Sequence, residues 1–190
     1  MNKCKNILLV GVGGQGTILT SKILSTGLLN AGYDVKMSEI HGMAQRGGSV
    51  STQVRYGERV NSPIIGRGEA DILIAFEKME AMRWLEYLSK NGQLIVNDHE
   101  IESAPILAGK DNYPQGILSA LSQKTSALIV PATKMAIELG NIRVMNVIML
   151  GVLVKQGGLD SIDWKNELKK LIKPKFVDIN LKAFDMGYSV

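Results

Sequence analysis

The segment whose side chains are best suited to contact a ligand or a partner runs from residue 39 to residue 48. It reads Glu-Ile-His-Gly-Met-Ala-Gln-Arg-Gly-Gly. Arg46 offers a planar, permanently charged fork that suits a carboxylate, a phosphate or an acidic group of a partner. The same side chain could instead pair internally with Glu39 or Glu77, the common way to seat a half-buried arginine. A single histidine beside a glycine turn, such as His41, is more often a hydrogen-bonded structural residue than a catalyst. The segment therefore predicts a contact surface, and we assign no catalytic residue.

A second candidate site is the glycine-rich turn from Gly11 to Gly16, which reads Gly-Val-Gly-Gly-Gln-Gly. It follows an apolar strand and opens a helix, the context in which backbone N–H groups and the helix dipole meet a phosphate. Glu39, near the end of the second strand, could bond a ribose hydroxyl as in dinucleotide-binding folds. The alternative is a tight turn that binds no cofactor, because close strand-to-helix packing needs the same glycines.

Short apolar strands alternate with helices along the chain, which predicts an α/β fold. We predict strands over residues 5–10, 34–40, 71–76, 93–96 and 127–130, and helices over residues 17–31, 79–88, 133–139, 146–154 and 160–172. In the first helix the expected apolar stripe consists of Ile18, Leu19, Ile23, Leu24 and Leu28.

Residues 49–56 depart from this alternation because apolar and polar side chains follow one another with a period of two. That period indicates a strand with one buried face and one face in solvent. An antiparallel strand inserted here makes the sheet mixed. We therefore predict a three-layer Rossmann-like sandwich with a mostly parallel, partly mixed sheet, in one domain that spans residues 1–190.

The predicted helix over residues 146–154 is apolar nearly all round and should be buried on most sides. Part of its surface is then available to another subunit, which makes self-association of the isolated chain plausible.

Composition excludes several classes of protein. The 190 residues are 45% hydrophobic and 21% charged with a net charge of +4, as in ordinary globular proteins without a nucleic-acid-binding surface. No apolar run reaches the roughly 18 residues needed to cross a bilayer, and no signal-peptide pattern is present, so we expect a cytoplasmic protein. Cys4 is the single cysteine, which excludes an internal disulfide and a four-thiolate iron-sulfur cluster. We expect no metal site in this chain.

The predicted strands bring several polar segments to one edge of the sheet, where ligands of open α/β folds bind. These segments are residues 11–16, residues 39–46, Glu77, Asn97 with Asp98, and Thr133 with Lys134.

Several motifs together resemble the gamma-type subunit of the 2-oxoacid:ferredoxin oxidoreductases. They are the glycine turn 11–16, residues 38–50, residues 70–77, residues 131–133, and Leu139-Gly-Asn141 with Arg143 and Asn146. The His-Gly-Met-Ala-Gln-Arg-Gly-Gly form of the long motif most resembles the indolepyruvate branch of that family.

The resemblance implies a complex that decarboxylates a 2-oxoacid on thiamine diphosphate, reduces ferredoxin through 4Fe-4S clusters and transfers the acyl group to coenzyme A. A large catalytic subunit would hold the thiamine, its Mg ion and the clusters, since this chain lacks a Gly-Asp-Gly motif. The residues expected to contact that partner or to close its active site are Glu39, His41, Met43, Gln45, Arg46, Gly47 and Glu77. Those expected to receive coenzyme A or another anion are Gly11, Gly13, Gly14, Gln15 and Gly16.

Two other functions remain open at this point. One is a free-standing Rossmann-like protein that binds a dinucleotide or coenzyme A, as the strand–glycine–helix pattern would allow. The other is a non-catalytic regulatory module with the same fold and a different partner.

Overall fold

The computed structural model describes residues 4–42 and 47–190, and its centre is a sheet of six strands in the order β2-β3-β1-β4-β5-β6. The strands are β1 Lys5–Val12, β2 Asp34–His41, β3 Ser49–Gly57, β4 Ala70–Ala75, β5 Leu88–Asn97 and β6 Ala127–Val130. From β1 to β6 each neighbouring pair is parallel, whereas β3 is antiparallel to both β1 and β2. The prediction of a mixed, mostly parallel α/β sheet is confirmed.

Helices cover both faces of the sheet. They are α1 Thr17–Asn30, α2 Lys78–Arg83, α3 Ala104–Leu107, α4 Ile117–Lys124, α5 Ala132–Glu138, α6 Met145–Gln156, α7 Trp164–Leu171 and α8 Val177–Tyr188. The core residues of α1, α5, α6, α7 and α8 pack on one face, and those of α2 and α4 on the other. Within residues 4–42 and 47–190, no helix has the length and apolar character to cross a bilayer.

The apolar run of β1 has side chains in both cores. Ile7 and Leu9 belong to the larger hydrophobic cluster, and Leu8 and Val10 belong to the smaller one. Because a central parallel strand is covered on both faces, it is continuously apolar rather than alternating.

The predicted solvent face of β3 is wrong. Ser51 and Gln53, which were expected to face solvent, are 2% and 5% exposed. The segment between β3 and β4 folds over this face, where Ile65 N donates to Gln53 Oε1 at 2.5 Å and Arg55 donates to the carbonyl of Ile64 at 3.1 Å. Apolar and polar side chains alternate along β3 because both faces of the strand are buried, one against apolar and one against polar surroundings.

Two helix boundaries also differ from the prediction. α2 ends at Arg83, and the remaining predicted residues form a 3₁₀ turn and the start of β5. α7 begins at Trp164 because the side chain of Asp163 caps it by accepting from Asn166 N at 3.1 Å.

The apolar helix α6 is buried by the chain itself. Every residue from Met145 to Val154 is buried, and α8 crosses it at Gly151 and Gly187, where no room remains for a Cβ atom. The expected free surface on this helix is therefore absent, which removes the physical reason for expecting self-association.

Candidate functional site

Five strands end at one edge of the sheet, and the segments that follow them form the candidate site. β2 runs in the same direction as β1 because β3, which lies between them, is antiparallel to both. This edge carries the glycine turn 11–16, Glu39 to Gly42, Glu77, Asn97, Asp98, Thr133 and Lys134. Gly47 is also described and takes a positive φ of 77°. The other expected contact residues, Met43, Gln45 and Arg46, lie outside the described residues.

The side chain of Gln15 folds back over the end of β1 and shapes the glycine turn from within. Its Oε1 accepts from Val12 N at 2.8 Å, and its Nε2 donates to the carbonyl of Phe76 at 2.7 Å. A Cβ on Gly11 would lie 2.8 Å from Gln15 Oε1 and 3.0 Å from Phe76 Cβ, so a larger residue here would displace the Gln15 side chain. The turn is therefore tied to the end of β4.

The last glycine of the turn connects it to α6. Gly16 caps α1 with a positive φ of 81°, and Asn146 Nδ2 donates to its carbonyl at 3.2 Å. A Cβ on Gly16 would lie 2.5 Å from that same Nδ2 atom. Both the backbone angle and the close approach of Asn146 thus require glycine here.

Some backbone donors of the turn are already used inside the chain. Gly13 N donates to Gly48 O at 2.9 Å, and Gln15 N donates to Val12 O at 3.2 Å. Among the residues that the structure describes, no acceptor is found for the N–H groups of Gly14, Gly16 and Thr17. These three donors lie at the N-terminus of α1, where the helix dipole favours an anion.

A crevice of about 640 Å³ opens beside these donors. Its polar side chains belong to Gln15, His99, Thr133, Arg143 and Asn146, and its apolar part includes Ile101 and Ile142. Arg143 is exposed and forms no ion pair with any residue in the described ranges. The crevice can therefore accept a ligand that combines an anionic group with apolar surface.

A buried polar network supports the floor of this crevice. Asn97 is fully buried at the end of β5, and its Nδ2 donates to Phe76 O at 3.0 Å and to Thr133 Oγ1 at 2.9 Å. Its Oδ1 accepts from Thr133 N at 3.2 Å. Since Gln15 also donates to Phe76 O, one carbonyl joins the glycine turn, β4, β5 and α5.

Glu39 and His41 form a pair on β2, with His41 Nε2 3.4 Å from Glu39 Oε1. His41 also lines a second pocket of about 470 Å³, together with Val50 and Ile18. Ile18 is 52% exposed here, so its predicted place in the buried stripe of α1 is wrong. Because β3 lies between β1 and β2, Glu39 is two strand spacings, roughly 10 Å, from the strand that leads into the glycine turn.

Glu77 is internal, with 1% of its surface exposed. Its carboxylate accepts from the hydroxyl of Tyr113, from Glu80 N at 2.9 Å and from Ile101 N at 3.4 Å. It thereby caps α2 and holds the segment that follows β5. Burial, and then the hydrogen bond to Glu77, raise the pKa of the Tyr113 hydroxyl.

Lys78, next to Glu77, fixes the start of the same segment. Its ammonium lies 3.3 Å from Asp98 Oδ1 and 2.5 Å from Glu100 Oε1. Burial lowers the pKa of Lys78, but the hydrogen bonds to Glu100 and Asp98 outweigh it, so the net pKa is raised.

Sequence reasoning missed two residues of this region, Glu80 and Ser49. Glu80 is 3% exposed and accepts a hydrogen bond from the Ser49 hydroxyl. The two residues are 31 positions apart, so no local spacing signals the contact. The available signal is that Glu80 follows Glu77 by one helical turn, which places both carboxylates on one face.

The family model described as pyruvate ferredoxin/flavodoxin oxidoreductase matches residues 6–190. A protein of Pyrococcus horikoshii named indolepyruvate oxidoreductase subunit IorB is 37% identical over 188 residues, which are 96% of this chain and 93% of that protein. A protein of Archaeoglobus fulgidus with the same name is 39% identical over 97% of this chain and 94% of its own length.

Solved structures share the fold. The gamma subunit of a keto/oxoacid ferredoxin oxidoreductase from Geobacter sulfurreducens superposes with a TM-score of 0.71 at 22% identity, over 97% of this chain and 96% of that one. A 2-oxoglutarate:ferredoxin oxidoreductase from Magnetococcus marinus, solved with 2-oxoglutarate, coenzyme A and succinyl-CoA bound, gives a TM-score of 0.72 at 21% identity. That match covers all of this chain and 31% of the other.

Proposed function

The chain belongs to the pyruvate ferredoxin/flavodoxin oxidoreductase family, and we propose that it is the small, gamma-type subunit of an indolepyruvate:ferredoxin oxidoreductase. The observation that carries this proposal is the match along nearly the whole chain to subunits of indolepyruvate oxidoreductases, at 37% and 39% identity. The complex converts an aryl 2-oxoacid to acyl-CoA and CO₂ and reduces ferredoxin. We place it in the cytoplasm and in anaerobic metabolism, and we expect this chain to be inactive alone.

The large partner subunit holds thiamine diphosphate, Mg and the 4Fe-4S clusters in this proposal. Thiamine diphosphate supplies the electron sink for decarboxylation, and the clusters carry single electrons. A 4Fe-4S cluster needs four thiolates, and this chain contains one cysteine. Among the residues that the structure describes, no group of three or more His, Cys, Asp or Glu side chains is arranged to bind a metal ion.

The glycine turn receives an anionic part of coenzyme A in the same proposal. Support comes from the open donors of Gly14, Gly16 and Thr17, from the positive end of α1 and from Arg143 at the rim of the crevice. The Magnetococcus marinus protein, which shares this fold, binds coenzyme A in its solved structure. Gly11, Gly13 and Gln15 shape the turn and contribute no free side chain to the ligand.

The hairpin arm, which we define as residues 39–48, contacts the large subunit and helps to close its active site. Glu39, His41 and Gly47 belong to the arm, as do Met43, Gln45 and Arg46. Glu77 has a different part in the proposal, because a buried carboxylate that accepts from three donors orients its own chain rather than a partner.

Reconstitution tests the subunit assignment. The chain is purified alone and together with its large partner, and oxidation of indolepyruvate, pyruvate and 2-oxoglutarate is followed by ferredoxin reduction. Activity is expected only with both subunits, with indolepyruvate as the best substrate. Full activity from the chain alone would overturn the proposal, and preference for another oxoacid would move it to a different branch of the family.

Arg46→Ala tests the hairpin arm. We expect the substitution to weaken assembly or the activity of the complex far more than it lowers the melting temperature of the isolated chain. An equal loss of fold stability would instead identify Arg46 as a member of an internal ion pair. Lys182→Ala, which removes an exposed positive charge on α8, serves as the control.

Coenzyme A binding tests the glycine turn and separates the main proposal from a free-standing dinucleotide-binding protein. Calorimetry of the complex with coenzyme A, NAD, NADP and FAD should give heat with coenzyme A, weakened by Arg143→Ala, and none with the dinucleotides. The roughly 10 Å offset of Glu39 from β1 argues against a ribose contact of the dinucleotide type. Binding of NAD or FAD would reverse this preference.

A further inference from the structure

Glu80 is a buried carboxylate, and the burial of its charge must be compensated by other groups. Its exposed fraction is 3%, and burial of a charge is costly unless partners compensate for the lost water. One partner is Arg83, whose Nε lies 3.0 Å from Glu80 Oε1 but whose side chain is 57% exposed and screened by solvent. Among the residues that the structure describes, the other partner is the hydroxyl of Ser49, which donates to Oε2. The contact with Ser49 is the one that joins two different elements of the fold.

Ser49 occupies the base of the hairpin arm. It is the first residue of β3, and its carbonyl accepts from Gly42 N at 3.2 Å, the backbone bond nearest the tip among the described residues. The preceding residue, Gly48, accepts from Gly13 N of the glycine turn at 2.9 Å. A shift of Ser49 would therefore disturb both its backbone bond with Gly42 and the contact of Gly48 with the glycine turn.

The first turn of α2 is a rigid anchor for such a tether. Glu77, three residues before Glu80, accepts from Glu80 N at 2.9 Å and also from the hydroxyl of Tyr113 and the backbone of Ile101. Ile101 lines the crevice beside the glycine turn. Two buried carboxylates on one helical turn thus hold the two sides of the candidate site, the hairpin arm through Ser49 and the crevice wall through the backbone of Ile101.

We propose that Glu80 is a positioning residue, which holds the hydroxyl of Ser49 at the base of the hairpin arm and so keeps Gly48 in contact with Gly13. The positioning itself depends only on the contacts described above. Its consequence for catalysis rests on the proposed function, in which the arm and the glycine turn act at the active site of the large subunit.

Amide hydrogen exchange tests the positioning directly. Exchange at Gly13 and Gly42 is measured by NMR on the full-length chain for Ser49→Ala, Glu80→Ala and the double variant. Each single substitution should raise exchange at both glycines about tenfold, because the base of the arm opens more often. The double variant should exchange no faster than the single ones, since both substitutions remove the same contact.

Two further variants separate the tether from other effects. Ser49→Thr keeps the hydroxyl and should restore slow exchange. Arg83→Ala removes the other partner of Glu80 and should leave exchange at Gly13 and Gly42 within about twofold. Melting temperatures of all variants are recorded, so that a general loss of stability is recognised by faster exchange throughout β1 as well.

The kinetics of the reconstituted complex give the second measurement. Ser49→Ala should raise the KM for coenzyme A about tenfold with a smaller change in kcat, since a displaced arm disturbs binding beside the turn. Unchanged exchange at both glycines in Ser49→Ala and Glu80→Ala would overturn the positioning proposal, whatever the activity. Faster exchange with an unchanged KM would support the positioning and overturn the proposed role of the arm in the complex.

Discussion

Gly187 of α8 packs directly on the backbone of Ile148 in α6, so that a Cβ atom at residue 187 would overlap the Ile148 carbonyl oxygen. The obstacle is backbone within a buried helix, which cannot move aside as a flexible side chain would. Gly187→Ala should therefore lower the free energy of unfolding by about 3 kcal/mol or more, at the upper end of overpacking effects. Urea unfolding measures the loss. Lys182→Ala, at an exposed position of α8, should change it by less than about 0.5 kcal/mol, and equal values for the two variants would contradict the packing.

The side chain of Gln15 yields a prediction that depends on pH. Gln15→Ala leaves Val12 N without its acceptor and should cost about 1 to 2 kcal/mol. Gln15→Glu should cost more at pH 7, because a carboxylate oxygen then faces the carbonyl of Phe76 in place of an N–H donor. When the pH falls through the ordinary glutamate pKa of about 4.3, the protonated acid regains a donor. The difference in free energy of unfolding between Gln15→Glu and Gln15→Ala should then decrease. Urea unfolding at pH 7 and below the glutamate pKa measures the stability of both variants. Equal free energies of unfolding for Gln15→Glu and Gln15→Ala at pH 7 would contradict the prediction.

Asn97 and Asp98 are adjacent in sequence but differ in burial, which makes them a matched pair. Asn97→Asp places a charge at a fully buried site and removes the donors to Phe76 O and Thr133, so it should cost about 3 to 5 kcal/mol. Asp98→Asn removes an exposed ion-pair partner of Lys78 and should cost less than about 1 kcal/mol. Thermal unfolding followed by circular dichroism compares the two variants. A similar loss in both would mean that the Asn97 network contributes little.

Tyr113 and Glu77 predict a loss of stability at alkaline pH. Tyr113→Phe removes a hydrogen bond to a buried carboxylate and should cost about 2 kcal/mol at pH 8. Because the pKa of Tyr113 is raised in the folded chain, the unfolded chain loses that proton first, near pH 10, and the contribution decreases as the pH rises above this value.

The difference in free energy of unfolding between the wild-type chain and Tyr113→Phe should therefore decrease between pH 8 and about pH 11. Urea unfolding at the two pH values measures it. Burial also raises the pKa of Tyr56, to about 12, but its hydroxyl has no hydrogen-bond partner in the described part of the chain. Tyr56→Phe should thus cost less than about 1 kcal/mol at pH 8. If the loss of unfolding free energy caused by Tyr113→Phe were the same at both pH values, the assigned hydrogen bond to Glu77 would be contradicted.

The sheet is well predicted from the sequence because its central strands are covered on both faces and must be apolar throughout. Ile72 to Ala75 in β4 and Leu94 to Val96 in β5 form such runs. The face of α1 is predicted less well. Thr20 and Ser21 are fully buried whereas Ile18 is half exposed, since Thr20 donates to Asn146 O at 3.3 Å and small side chains let α1 approach α6.

The position of the candidate site is predictable, but its internal supports are not. Parallel strands end at the same edge, so their order along the chain suffices to bring Glu77, Asn97 and Thr133 together. The partners of these residues depend on contacts between distant segments. Glu77 and Tyr113 are 36 residues apart, and neither the period of a helix nor that of a strand relates them.

The burial of α6 has a consequence for biosynthesis. This helix, apolar on every side, completes its packing only when α8 crosses it at Gly151 and Gly187, and α8 leaves the ribosome after α6 and α7. Until then the growing chain exposes a continuous apolar surface of the kind that chaperones bind and proteases recognise. Synthesis that stops between α6 and α8 should therefore yield fragments that aggregate or are degraded. The cell would accumulate only chains in which α8 is packed on α6.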